Sequence, residues 1–452
     1  MARCIRIRKG RNLPLTGEAG RQWRDCRIPS VVRVPFYEFT AQDFRFLVQP
    51  HDRVLLGSPL LQKRNNPALV IVSPVSGRVT GIVRGERRIP EYLEIKTDIR
   101  QETVTPRPFS PERLPHLDRD EIIARMLEGG VWPFVCQRPF GRMADPSVLP
   151  QAVFVRAMDT SPLAPDINMI LQGQEDDFLL GLSLVRRLTT GSTYLCHGPE
   201  AASRAIGDFP GIERAVFRGP HPAGNTGTHV HHLFSLSRGK VVWTFDVQDV
   251  IAVARLFREG VFCPWRVVAL TGEGLPPDRR GYVRVMAGTP LESLTGAINP
   301  QAKVVAGNAL WGVLREKSSG LGFMTNQLTI LPGGSGRKFL GWLAPGENLF
   351  SFRRLFLSSF LPGTFFKMEI CLNGSPRAIV LNDVYDDLVA LDVLTFFLIK
   401  AILAGEIEEM ERLGILECSP EDFALAAFAC PSKTDIPALI ARGLELMEKE
   451  GI

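Results

Sequence analysis

Four of the seven histidines of this chain fall in one stretch, Gly219-Pro220-His221-Pro222-Ala223-Gly224-Asn225-Thr226-Gly227-Thr228-His229-Val230-His231-His232. Imidazoles ligate zinc and related metals, and three of them within four residues could supply part of such a site, with His229 and His231 on one face if the segment is a strand. No H-E-x-x-H, C-x-x-C or carboxylate at ligand spacing accompanies them, so they are read as structural histidines around a tight Gly/Pro turn, and no metal is assigned. Gly219, Gly224 and Gly227 would also let the backbone approach a phosphate, but their spacing departs from G-x-G-x-x-G and the Lys-Ser/Thr of a P-loop is missing. There is no G-x-S-x-G elbow. The adjacent pairs Asp176-Asp177, Asp386-Asp387 and Glu408-Glu409 diverge on a helix instead of converging for acid–base work. No catalytic residue follows from these patterns.

Aromatic side chains are the second concentration. Phe36, Tyr37, Phe39, Phe44 and Phe46 share an 11-residue window, Phe350, Phe352, Phe356, Phe360, Phe365 and Phe366 crowd another, and Phe outnumbers Tyr 27 to 5. Such stretches form ordinary core or, on a surface, suit a lipid-soluble ligand or a membrane-bound partner.

Positioning these residues takes several domains. The 452 residues are 45% apolar, with Lys+Arg 53 against Asp+Glu 48 and a net charge of +5. This is a globular balance without the basic blocks of a nucleic-acid binder. Leu388 to Ala404, the longest apolar stretch, is broken by Asp392 and Lys400 and is too short to span a bilayer. The basic start lacks the apolar core of a secretion signal, and eight scattered cysteines read as reduced cytosolic thiols. Short apolar runs and turns from 44 to 97 predict a compact all-β sandwich. Asp118 with Glu121 opens a helix, and from 150 onward strands 152–155, 193–196, 215–217 and 241–245 alternate with helices 177–188 and one opened by Asp246 and Asp249, an α/β layer. Strands at 266–270, 282–285, 328–331 and 339–343, with a short helix 290–294 in a Thr289-to-Glu292 capping box, give a small β+α module. The last hundred residues read as helical.

The segments Arg138-Pro139-Phe140, Ala144-Asp145-Pro146, Ala157-Met158-Asp159-Thr160, Gly219-Pro220-His221-Pro222-Ala223-Gly224 and Gly227-Thr228-His229-Val230-His231, with Gln248-Asp249-Val250, Leu275-Pro276-Pro277 and Pro420-Glu421-Asp422-Phe423-Ala424-Leu425, resemble in order the A subunits of the sodium-translocating NADH:quinone oxidoreductases. The resemblance covers the chain end to end. It implies an α/β multidomain protein: residues 1–103 with a barrel-sandwich (biotinyl/lipoyl-like) module, a Rossmann-like α/β domain at 104–262, a β-grasp-like (SLBB-type) module at 263–345 and a C-terminal helical domain at 346–452.

It further implies a peripheral subunit on the cytoplasmic face of the inner (cell) membrane, in a respiratory complex that oxidises NADH, reduces ubiquinone and exports Na⁺. The complex is a translocase. The isolated chain is expected to be non-catalytic, to bind no flavin or iron–sulfur centre, and to contribute to or cover the quinone site. Its expected partners are the other subunits, membrane-embedded ones especially, with quinone possible and nucleic acid excluded. Phe36, Phe39, Phe44, His221, His229 and His231 are the candidate quinone or interface contacts. The flavin-binding relatives carry a glycine-rich loop where this chain has only Gly141, and clustered cysteines where it keeps isolated Cys418 and Cys430. Two alternatives remain: an Rnf-like subunit that binds NADH or FMN itself, and a free carrier modified at Lys63.

Overall fold

The computed structural model describes residues 3–39, 43–201, 203–334, 343, 345–353, 355–361, 363–372 and 374–451. At its centre lies a seven-stranded sheet. Five parallel strands, in the order Arg3–Arg6, Glu213–Arg218, Ser192–His197, Ala152–Ala157 and Val242–Asp246, are extended by the antiparallel pair Cys136–Arg138 and Arg142–Met143. Strand Ala152–Ala157 is apolar on both faces as far as Val155, where helices cover it, and turns polar at Arg156 near its carboxyl end. Helix Val247–Glu259 begins in the expected capping box of Asp246 and Asp249 and ends at a left-handed Gly260. It crosses helix Glu175–Val185 closely enough that a Cβ on Gly181 would lie 2.2 Å from the Val250 carbonyl. The Asp118–Glu121 box opens helix Arg119–Glu128, as its spacing predicts.

The all-β sandwich consists of a four-stranded sheet (Val31–Pro35, Pro90–Thr97, Gly77–Arg84, Arg53–Val54) and a three-stranded one (Phe44–Phe46, Pro59–Lys63, Val70–Val72). Val32, Val34, Leu60, Val79, Leu93 and Ile95 fill the space between them. A fourth, mixed sheet runs Val313–Arg315, Lys303–Ala306, Gln327–Leu331, Trp265–Thr271, Gly281–Met286 and Trp23–Asp25. Residues ahead of the sandwich thus supply edge strands to two other sheets, Arg3–Arg6 to the central one and Trp23–Asp25 to the mixed one, where Trp23 packs on Tyr282.

Three local expectations change. The helix near 290 starts at Leu291 without the Thr289 cap, because the Thr289 hydroxyl donates to the Met286 carbonyl at 2.8 Å. The histidine segment is the helix Thr226–Leu233, not a strand. Helix dominates only the end of the chain: Val384–Leu388, Thr395–Ala404, Ile407–Arg412, Ala424–Ala429 and Ile436–Lys449. Among the described residues of 346–383 the one regular element is the short turn Leu357–Phe360. The expected strand at 339–343 lies outside the described residues apart from Leu343. The C-terminal helices close on Leu398, Ile402, Phe423, Ile440 and Met447, and Leu13 and Leu15 insert among them.

Candidate functional site

In parallel α/β sheets the loops at the carboxyl ends of the strands form the usual ligand crevice. Here strand Ala152–Ala157 leads to Asp159 and Thr160, Val242–Asp246 ends on Asp246, and Glu213–Arg218 runs into loop 219–225 and helix Thr226–Leu233. Gly224 lies flat on the neighbouring loop: its N–H donates to Thr160 Oγ1 at 2.8 Å, and a Cβ would fall 2.6 Å from the Thr160 nitrogen. Asn225 stands at the N-cap of the helix with its side chain turned away from the helix backbone. This is the place where an anion would meet a helix amino end.

The C-terminal domain fills it. Asn225 Nδ2 donates to Asp422 Oδ1 at 3.3 Å, and the Ser419 N–H donates to Asp422 Oδ2 at 3.0 Å. A Cβ on Gly227 would come within 1.9 Å of that carboxylate, so glycine is what leaves room for it. Burial raises the Asp422 carboxyl above its ordinary range, opposed by the nearby Arg138 guanidinium. Burial also pushes Glu421 up to about 7, opposed by Arg156. Arg156 reaches Asp246 Oδ2 at 2.9 Å; burial would lower its pKa, but Asp246, Asp159 and Glu421 raise it on balance, so it stays charged. From the sheet's antiparallel strand, Arg138 donates to the Cys418 and Glu417 carbonyls at 2.9 and 3.2 Å.

The histidines surround this junction without converging. His221 Nδ1 lies 3.3 Å from Thr160 Oγ1, and its backbone N–H donates to Asn12 Oδ1 at 2.8 Å. Burial pulls its pKa down to about 4. His229 stacks near Phe217 and bonds the Ala223 carbonyl at 3.0 Å; burial, helped by Arg156, takes it down to about 3. His231 Nδ1 bonds Glu417, while its Nε2 accepts the Asp392 N–H at 3.2 Å, a pairing that a proton on Nδ1 satisfies. Burial would raise the Glu417 carboxyl, yet the bonds from His231 and Ser235 hold it below the usual range. Among the described residues no three His, Cys, Asp or Glu side chains are placed to hold a metal ion.

Phe36 and Phe44 lie in the sandwich core, 3% and 5% exposed. Phe39 is half-buried between Phe44 and Phe323, at 6.1 and 6.2 Å between ring centroids, where the sandwich meets the mixed-sheet module. The aromatic and histidine candidates therefore occupy different parts of the molecule. Sequence reasoning missed Arg138, Arg156, Asp159, Glu421 and Asp422. Asn225 ahead of Thr226-Gly227 was the one local hint, since that pattern opens a helix. A separate cleft of about 660 Å³ is lined by Arg204, Arg255, Asp176 and Asp177, but its charges pair with each other, Arg255 with Asp177 at 2.8 Å and Arg204 with Asp176 at 3.0 Å.

Among the described residues no helix is long and apolar enough to cross a membrane. A family model described as the NqrA N-terminal barrel-sandwich hybrid domain matches residues 5–98, and another, the NqrA second alpha/beta domain, matches residues 117–262. The A subunit of the Na(+)-translocating NADH-quinone reductase of Tolumonas auensis is 34% identical over 450 residues, 99% of this chain and 100% of that relative. The corresponding proteins of Neisseria meningitidis, at 33% over 452 residues, and Vibrio anguillarum, at 34% over 453, have the same coverage of both chains. Full-length similarity at this level, in an order of domains that the sheets reproduce, places the chain in the NqrA family, the A subunits of the Na(+)-translocating NADH-quinone reductases.

Proposed function

We propose that this chain is a peripheral subunit, on the cytoplasmic face of the membrane, of a complex that passes electrons from NADH to a quinone and couples this to Na⁺ export. It holds no flavin or iron–sulfur centre of its own, meets membrane-embedded subunits and helps to shape or cover the quinone site. The observation that carries the cofactor-free reading is the occupancy of the sheet's carboxyl edge: Asp422 sits against the amino end of helix Thr226–Leu233, where a nucleotide phosphate would otherwise bind. A buried carboxylate there repels a second anion. The central sheet is assigned as Rossmann-like, the mixed-sheet module as β-grasp-like and the C-terminal helices as a helical domain replacing a cluster-binding bundle. For direct quinone contact we propose Phe39 and His231, which are only partly buried, ahead of Phe36, Phe44, His221 and His229.

The test compares native membranes that contain this chain with membranes that lack it, and adds an absorbance spectrum of the purified chain. Loss of NADH-dependent quinone reduction and Na⁺ uptake, with NADH oxidation by an artificial acceptor retained and a colourless chain, is the expected result. A flavin band in the purified chain would instead support the Rnf-like reading. Intact mass showing a modified Lys63 would support a carrier.

A further inference from the structure

Residues 345–383 form a long connection between the mixed-sheet module and the C-terminal helices. Loops of this length without regular structure are uncommon in compact domains and usually functional. Its base is anchored: the Phe366 N–H donates to the Pro14 carbonyl at 2.7 Å, and Phe350 packs on Phe352, Phe366 and Phe428 with centroids 5.2 to 6.4 Å apart. Its tip is turned outward. Leu355, Leu357, Phe360, Leu361 and Phe365 are 46 to 75% exposed, a concentration of apolar surface that a soluble face does not explain.

The charge pattern and the direction of the hydroxyl side chains bear on what covers this tip. From Leu355 to Phe366 the sequence has no charged residue, while Arg353 and Arg354 precede the stretch and Lys367 follows it. Arg353 is exposed; Lys367, also exposed, meets Glu273 at 2.8 Å, and Glu347 is the nearest acidic residue before the stretch. The main-chain N–H groups of Leu357, Ser359, Leu361 and Phe366 are satisfied within the protein. Of the three hydroxyl side chains, those of Ser358 and Thr364 donate back to the Leu349 and Leu361 carbonyls. A protein interface of this size would offer outward hydrogen-bonding groups to its partner. An apolar tip whose Ser358 and Thr364 hydroxyls turn back onto the chain, flanked by cations, suits the interface of an anionic bilayer, where hydrocarbon offers no hydrogen bonds and headgroups attract Arg and Lys.

We infer that the tip carrying Leu355, Leu357, Phe360, Leu361 and Phe365 inserts into the acyl–headgroup boundary of the membrane, with Arg353 and Lys367 on anionic headgroups. The inference rests on the proposed peripheral membrane location and adds a direct lipid contact to it. The test is flotation of the purified full chain with vesicles of phosphatidylcholine alone or mixed with phosphatidylglycerol. The wild type floats with the mixed vesicles, and the triple variant L355S/F360S/F365S loses partitioning by about ten-fold for each side chain removed. Arg353→Gln with Lys367→Gln weakens binding to the mixed vesicles by roughly five-fold per charge and leaves the weak binding to neutral vesicles unchanged. As a check independent of the triple variant's folding, Phe360→Trp gains emission that brominated lipid quenches. A wild type that stays in the aqueous fraction, or a triple variant that floats as well as wild type, overturns the inference. So does a triple variant whose only defect is failure to co-purify with other subunits, which would make the tip a protein interface. NADH-dependent quinone reduction measured in native membranes that carry each variant separates these outcomes from failure of the proposed function: loss of flotation with activity retained leaves that function standing.

Discussion

The carboxyl edge of the central sheet and loop 355–366 solve opposite problems with opposite chemistry. At the sheet edge, polar groups from elements 90 to 197 residues apart are largely withdrawn from water and answer one another, as Arg156 and Asp246 or Asn225 and Asp422 do. In the loop, the Ser358 and Thr364 hydroxyls are satisfied locally and large apolar side chains are left outside. The first arrangement makes a place where ligands ordinarily bind into a seam between domains. The second leaves free surface that only another phase or partner can cover. A site's position in a fold therefore does not settle its use: here the usual ligand crevice is occupied by Asp422 and its neighbours, and the irregular connection offers the exposed apolar surface.

This contrast breaks most sharply at Arg156. Arg156→Met leaves Asp246, Asp159 and Glu421 without their cation; with about a fifth of each side chain of the Arg156–Asp246 pair exposed, the cost falls toward the low end of the roughly 3–5 kcal/mol of a fully buried pair. Urea denaturation at pH 7 is expected to show that loss, and Asp246→Asn, which removes the charge while keeping a helix-capping side chain, added to Arg156→Met is expected to recover part of it. If the single variant melts like wild type, the seam does not depend on its charges. Gly227→Val comes next, since its side chain must displace the Asp422 carboxylate; overpacking of this kind costs up to about 3 kcal/mol and should also increase proteolysis between the α/β domain and the C-terminal helices.

The seam also makes stability depend on pH, with two signs. Glu421 is raised to about 7 when folded, so its contribution is fully present below the unfolded value near 4.5 and is lost as pH rises through 7. His221 and His229 are depressed to about 4 and about 3, so theirs is present above 6.5 and lost as pH falls toward those values. Glu421→Gln removes the first slope. Relative to wild type, the variant is expected to gain about 2 kcal/mol between pH 5 and pH 8, measured by denaturation at both, and its remaining dependence between 4.5 and 6.5 should rise with pH. An unchanged profile would mean that Glu421 is solvated.

What the sequence revealed follows the range of the interactions. The caps at Asp118 and Asp246 involve neighbours three residues apart, and both form. The cap expected at Thr289 fails for an equally local reason, the competing bond to Met286. The central strands were legible from their unbroken apolar runs. Helix Thr226–Leu233 was not, because eight residues with glycine at the second position give too little periodicity to distinguish it from a strand. Asp422 entered as part of the 420–425 segment that carries the family resemblance; its place at the sheet edge depends on Asn225, 197 residues earlier, and no spacing rule reaches that far. Phe36 and Phe360 looked alike as members of aromatic windows, yet one is core and the other 75% exposed. Composition marks aromatic density, and only the fold decides which side faces out.

The smallest expected effect is the most discriminating for that last distinction. Phe360→Ser removes a large side chain whose exposed surface gains little from folding, so the stability of the free chain should change by no more than about 0.5 kcal/mol, the range of ordinary surface substitutions. Phe44→Ser, by contrast, empties part of the sandwich core and buries a hydroxyl, and should cost about 3 kcal/mol or more. Thermal melts of the two variants side by side check this directly. A Phe360 variant as unstable as the Phe44 variant would mean that the tip packs against its own chain in solution, and that its side chains are withdrawn from whatever surface the protein meets.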